Sequence, residues 1–330
     1  MVKVLVFDTE TTNLPPLLPG DTWSIREGFG QKLLHPNYVS LWKDVLDKWP
    51  SVIQFSYILY DTENPKETKL YNKYIDIGDD IVISEGSIAV HHITKEKIAG
   101  MPPKDKSSIE KTLRTFMEDV KKADIIVGHN VDFDRKMVVA EFLRMIEKYY
   151  EKGNGDELED FVKQLMDKTK FSCTMNDTME VCKLQMKIEY KDKKTGEPKV
   201  FYKLKSPKLS ESYKHYFGYM PSGEALHDAM SDVVLCLRIF IKYKYDKDVC
   251  GTNRKITNMI MNMSPEGYTC GSMQGLMEED IELSDKDSET ETENLKLKRP
   301  RRRKSRRIAS KKRRDYFSWK SKTQRKSRKN

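Results

Sequence analysis

The chain has 330 residues, of which 38% are hydrophobic and 34% charged. That length suggests about two domains, and so charged a composition implies that part of the chain lies outside any packed core. No window approaches 18 consecutive apolar residues, which excludes a transmembrane helix, and Met1–Phe7 runs straight into Asp8 and Glu10, unlike a signal peptide.

The net charge of +9 is uneven. Residues 296–330 carry 19 Lys/Arg and one acid, and residues 278–295 carry nine acids and one Lys. Residues 1–277 therefore hold 40 basic and 41 acidic residues, so the basicity belongs to a tail. The five cysteines, Cys173, Cys182, Cys236, Cys250 and Cys270, show no Cys-x-x-Cys pair and no zinc spacing. An odd number without such motifs argues against a disulfide framework and fits a reducing, intracellular setting.

In chain order, residues 2–8 are β-branched and weakly alternating and predict a buried strand. Residues 52–60 and roughly 69–77 predict two more, joined by a turn at Thr62–Pro65. Ser107 or Ser108 can cap a helix to about Lys121. Asp124–Val127 reads as a short strand stopped by Gly128, and Val131–Tyr150 as a helix with a wide apolar face. Phe171–Thr174 is a possible last strand, followed by a helix to about Leu184; Leu209–Phe217 and Ala229–Lys244 are further helices. Three strands followed by alternating helix and strand predict an α/β fold with a mixed sheet of five strands.

Three insertions interrupt that pattern. Residues 15–48 contain Trp23 and Trp42, residues 151–168 read as a polar helix, and residues 186–206 as a hairpin. In the hairpin, Ile188 and Tyr190 are expected to face Val200, Tyr202 and Leu204. The expected division is a domain over residues 1–250, a linker over 251–295 with its acidic run at 278–295, and a disordered basic tail over 296–330.

Three clusters can carry chemistry. Asp8 and Glu10 stand two apart at the end of an apolar strand, so period two puts both on one face, where a bound divalent cation would relieve their repulsion. A strand end turning into a polar loop explains them as well. In Gly128-His129-Asn130-Val131-Asp132-Phe133-Asp134, a carboxylate sits on the first turn after a strand. Sites in open α/β sheets lie beyond strand ends, although Asp132 and Asp134 could simply complement the helix dipole. In His227-Asp228-Ala229-Met230-Ser231-Asp232, His227 precedes a helix, Asp228 is a possible cap, and Asp232 lies in the first turns.

In this order, Asp-x-Glu, His-Asn-x-x-Phe-Asp and His-x-x-x-x-Asp resemble the DEDDh (DnaQ-like) exonucleases, the superfamily of the proofreading exonuclease of bacterial replicative polymerases. Trp49–Phe55, Ala89–Thr94 and Lys208–Gly218 resemble further segments of it, and the likeness spans about residues 1–245. The family usually has Gly where Asn13 and His92 stand here. The resemblance implies a ribonuclease H-like fold and removal of 5′-mononucleotides from 3′ ends. Asp8, Glu10, Asp134 and Asp232 would hold two Mg²⁺ or Mn²⁺ ions, and His227 would act as general base. Thr9, Thr11, Leu14, His91, His129, Asn130 and Phe133 match positions near the bound strand, although Phe133 can equally be core and Asn130 a helix cap.

The expected substrate is nucleic acid, with single-stranded 3′ ends of DNA preferred. RNA 3′-end trimming within the same superfamily is the alternative, and a nucleic-acid-binding or scaffold protein on a nuclease fold is a third reading. A polymerase or other replication or repair partner is possible, and no membrane partner is expected. Basic clusters over 298–314 read as a nuclear-import signal or a nucleic-acid arm.

Overall fold

The computed structural model describes residues 2–15, 46–150, 156–192, 195–223 and 228–270. Trp23, Trp42, His227, the acidic run and the basic tail lie outside the described residues.

The sheet is built around β1 (Lys3–Thr11), whose valines and Phe7 suit a strand buried on both faces. β2 (Val52–Asp61) pairs antiparallel with β1 along its whole length, and β3 (Lys69–Ile75) pairs antiparallel with β2. Outside β3 lies β4 (Lys106–Ser107), a two-residue edge strand too short to leave a periodic signal. On the other side β5 (Ile125–Gly128) and β6 (Phe171–Cys173) run parallel to β1, giving the order β4-β3-β2-β1-β5-β6. The five expected strands are present, with β4 as a sixth. β1 also runs three residues further than its apolar pattern, so Asp8 and Glu10 lie within the strand.

Seven-residue α1 (Glu85–His91) and α2 (Lys95–Gly100) pack at one end of the sheet. α1 ends with His92 at φ 55°, the left-handed position that favours glycine. This chain therefore keeps the turn of the related Gly while carrying a side chain there. Asn13 stays outside the left-handed region, and its side-chain oxygen accepts from the Leu14 amide at 2.8 Å.

α3 (Ile109–Val120), capped by Ser108, and α4 (Val131–Tyr150) cover one face of the sheet. Leu5, Phe7, Phe55 and Tyr57 meet Leu113, Phe116 and Phe142 there, with the Phe55 and Phe116 rings 5.0 Å apart. α5 (Asp156–Met166) packs on α4 through Leu158, Phe161, Val162 and Leu165. The segment expected as a polar helix is thus amphipathic, because its apolar residues recur at helical spacing.

α6 (Leu209–Phe217) and α7 (Ala229–Tyr245) cover the opposite face, where Val4, Val6 and Ile58 meet Val233, Val234 and Leu237. α8 (Arg254–Asn262) adds Ile256 and Ile260 to this core, although its composition reads as the start of a linker. Fully buried Arg238 of α7 donates to both carboxylate oxygens of Asp248, at 2.8 and 2.7 Å, and to the hydroxyls of Tyr213, Tyr219 and Tyr268. That shell compensates the cost of burying its charge.

Cys250 and Cys270 form a disulfide across the α8 excursion, with Cα atoms 5.5 Å apart. This single bridge departs from the expectation drawn from the odd cysteine count: the fold returns one cysteine to the other across 20 residues.

β7 (Gln185–Lys191) and β8 (Pro198–Leu204) form the expected hairpin, in a separate two-stranded sheet. Its register differs from the sequence reading. Ile188 pairs with Phe201 and Tyr190 with Lys199, so Val200, Tyr202 and Leu204 take the other face. A one-residue slip turns every side chain over, and an exposed ribbon has no core to fix the choice from its pattern. Among the described residues, no helix is long and apolar enough to cross a membrane.

Candidate active site

β5 pairs with β1 only from Val4 to Val6. Beyond that point the outer edge of β1 has no ladder partner among the described residues, and the loop into α4 begins. Gly128 makes the tight exit possible, since a Cβ there would lie 2.9 Å from Val131 Cγ2. Asn130 follows at φ 66°, and its carbonyl accepts from the Phe133 amide at 2.9 Å. Among the described residues its side chain makes no cap bond.

The turn delivers Asp134 to the open edge. Thr9 donates to Asp134 Oδ1 twice, from its amide at 2.9 Å and its hydroxyl at 2.8 Å. Asp134 thereby replaces the missing ladder acceptor and is itself fixed. Asp132, by contrast, pairs with Arg135 at 2.9 Å and Lys168 at 3.4 Å on the helix surface.

Asp8 and Glu10 point to the α7 face, as period two requires for residues in phase with Val4 and Val6. Asp232 projects from the first turn of α7. One oxygen from each of Asp8, Glu10 and Asp232 lies within 4.8 Å of the others. Asp228 caps α7 by accepting from the Met230 amide at 3.2 Å. Gln54, fully buried opposite Glu10, donates to Asp228 at 2.6 Å and to Asn72 at 3.0 Å, while its carbonyl faces the Ala229 amide.

Burial and mutual repulsion raise the proton affinities of these acids. Burial, then Asp134, Glu10 and Asp232, hold the Asp8 carboxyl well above the usual range. Burial, then Asp232 and Asp134, push Glu10 up to about 9. Burial raises Asp134 to about 7 against the lowering effect of its Thr9 bonds. Burial, then Asp228, raises Asp232 to about 7. Crowded carboxylates of this kind are a hard-oxygen donor set that suits Mg²⁺ or Mn²⁺ better than zinc.

The expected strand-contacting residues occupy varied places. Thr9 is buried against Asp134, and the Thr11 hydroxyl donates to the Asn13 carbonyl at 2.8 Å. Leu14 projects from the end of β1 and is 71% exposed. Phe133 is half-buried against the core beneath α4. Buried His91 accepts from the Ile93 amide at Nδ1, 3.0 Å, so Nε2–H faces the Thr11 carbonyl at 3.2 Å. His129 lies between Thr174 Oγ1 at 2.9 Å and the Pro207 carbonyl at 3.0 Å, and burial lowers its proton affinity to about 4. In the structure both histidines fasten loops at the rim.

The Asp228 cap follows from the sequence, but the role of Gln54 in holding it does not. Gln54 falls within the Trp49–Phe55 resemblance, but nothing in one dimension couples it to a helix 174 residues later. Gln54→Leu is expected to remove three hydrogen bonds, costing about 1–3 kcal/mol in thermal unfolding. It should also lower kcat more than KM in steady-state assays, because the start of α7 carries Asp232.

A mixed α/β sheet with clustered acids at the end of its central strand, one held across an open strand edge, defines a nuclease-type hydrolase. The family model described as Exonuclease (RNase_T) matches residues 5–240, and the chain belongs to that family, of DEDDh type. No curated protein sequence matches it. Among solved structures it is similar to E. coli Exonuclease I in complex with a dA16 oligonucleotide, at 15% identity, covering 78% of this chain and 42% of that one, TM-score 0.40. It is also similar to Exonuclease I from Methylocaldum szegediense, at 14% identity, covering 75% and 42%, TM-score 0.42. The chain spans less than half the length of these structures.

Proposed function

We propose that the chain is a metal-dependent 3′–5′ exonuclease that releases 5′-mononucleotides, with single-stranded 3′ ends of DNA as its substrate. The observation that carries this reading is the convergence of Asp8, Glu10 and Asp232 within 4.8 Å, with Asp134 secured beside them by Thr9.

Asp8, Glu10, Asp134 and Asp232 would hold two divalent ions. When bound, such ions polarise the phosphate and stabilise charge on the attacking and departing oxygens. His227, adjacent to the Asp228 cap, takes a proton from the attacking water. Its oxygen bonds to phosphorus as the P–O3′ bond breaks, the 3′ oxygen leaves with a proton, and the product keeps its phosphate at the 5′ position. Leu14, exposed and apolar beyond Thr11, is suited to press beside the terminal base, and Asn130 and Phe133, in the turn that carries Asp134, would contact the strand. Apolar contact and stacking tolerate any base, so little sequence preference is expected.

The test is digestion of matched single- and double-stranded DNA and RNA oligomers labelled at either end. Single-stranded DNA should lose 5′-labelled length progressively from its 3′ end with Mg²⁺ or Mn²⁺, and EDTA should stop it. Release of the 5′-terminal nucleotide first would overturn the polarity, faster RNA digestion would favour the exoribonuclease reading, and undiminished cleavage in EDTA would overturn the metal dependence.

A further inference from the structure

The ribbon β7–β8 is the largest feature that this chemistry leaves unused. Its strands pair only with each other in the described structure, and every residue of both is exposed except half-buried Ile188 and Leu204. A lone hairpin is marginal in water, yet this one presents Met186, Tyr190, Val200, Phe201 and Tyr202 to solvent.

The pairing sorts its side chains. On one face Met186, Ile188 and Tyr190 stand opposite Lys203, Phe201 and Lys199. The Tyr190 and Phe201 rings meet edge to face, 5.8 Å apart, forming an aromatic platform between two lysines. Residues 185–205 carry seven lysines against three acids, although residues 1–277 as a whole are nearly neutral. Lys191 and Lys203 have no ion-pair partner among the described residues. Lys199 pairs with Asp192 within the same hairpin.

The root of the ribbon is tied to the loop that delivers Asp134. Lys205 closes it by donating its amide to the Leu184 carbonyl at 2.8 Å, and two residues later the Pro207 carbonyl meets His129. His129 directly follows Gly128 in the loop that delivers Asp134. The ribbon and the reaction centre thus share one anchoring loop.

We propose that β7 and β8 form a strand-binding arm that holds the single-stranded nucleic acid leading to the scissile end. Bases stack on the Tyr190–Phe201 platform, and Lys199 and Lys203 neutralise flanking phosphates. Interleaved rings and cations are the chemistry that recognises a single strand without regard to sequence. The proposal rests on the nuclease reading for its substrate class.

The test uses the full chain with two double variants, Lys199→Glu/Lys203→Glu and Tyr190→Ala/Phe201→Ala. Affinity for a long fluorescent oligothymidylate is measured in EDTA across a salt series, and cleavage of a trinucleotide is measured with Mg²⁺. Each variant is expected to weaken binding of the long strand by about tenfold or more. The lysine variant should also flatten the log affinity–log salt slope by about 1.4, the share of two phosphates on a single strand. Trinucleotide cleavage and thermal midpoint should stay unchanged, because the four substituted side chains are exposed on strands that pair only with each other.

Unaltered affinity and salt slope in both variants would overturn the arm, as for a ribbon that docks a protein, while cleavage by the parent chain would leave the nuclease reading intact. An equal loss from Tyr202→Ala, on the opposite face, would also overturn it. A parent chain that binds the long strand but cuts neither substrate would instead sink the nuclease reading, with the binding comparison still judging the arm.

Discussion

Replacing Asp8 with Asn is expected to reduce nucleotide release by about a thousandfold or more, roughly 4 kcal/mol of barrier, while raising the metal-free melting temperature near neutral pH. The two effects have one origin. Asp8 faces Asp134, Glu10 and Asp232, and its carboxyl is held well above its ordinary range. In the unfolded chain it ionises near pH 4. Folding without a cation therefore forces it either to take up a proton or to stay charged among other acids, and an amide of the same shape avoids both costs. Scanning calorimetry in EDTA should find the gain clear near pH 8 and absent below about pH 3, where the parent carboxyl is protonated in both states. An Asn variant that cuts at the parent rate would show that the site has been misassigned.

A second large effect concerns the parent protein. In EDTA its melting temperature should fall steadily from about pH 5 to pH 9, and Mg²⁺ or Mn²⁺ should restore it most at the alkaline end. Asp134 and Asp232 are raised to about 7 and Glu10 to about 9. Over this window the folded chain keeps protons that the unfolded chain has lost, so stability declines as pH rises. The contribution is complete below the unfolded values near 4 and disappears as pH passes the folded ones. Carboxylates held low, such as Asp119 beside Lys122 and Lys69, titrate below this window. His129, lowered to about 4 by burial, and buried His91 oppose the fall up to about pH 6.5 but are outnumbered by the raised acids. Each kcal/mol should appear as about 2–4 °C in a body of this size. A flat profile, or one that divalent ions leave unmoved, would contradict the crowded-acid account.

Much of this arrangement was legible in one dimension because two of its rules are local. Period two aligned Asp8 with Glu10, and helix-start chemistry put Asp134 and Asp232 on first turns and Asp228 at a cap. The fold then added what locality cannot express. Asp134 reaches the acids because β5 stops short and leaves the Thr9 amide without a ladder partner, a consequence of strand lengths rather than of any motif. Gln54 matters through a helix far along the chain. The hairpin was visible but its register was not, since neither face is buried and the hydrophobic pattern had nothing to choose between. The apolar faces of α5 and α8 were hidden by the charge and Gly/Asn/Met content of their surroundings, and the Cys250–Cys270 pair by a cysteine count that carries no distances.

The two cores flanking β1 have a further consequence. Asp134 comes from the helical layer on one side, Asp232 from the layer on the other, and Asp8 and Glu10 from the strand between them. Synthesis makes the strand first and the last of these acids more than two hundred residues later, so no early N-terminal product holds the whole set. The four carboxylates therefore meet only once both layers have closed on the strand, and a partly made chain lacks the proposed site.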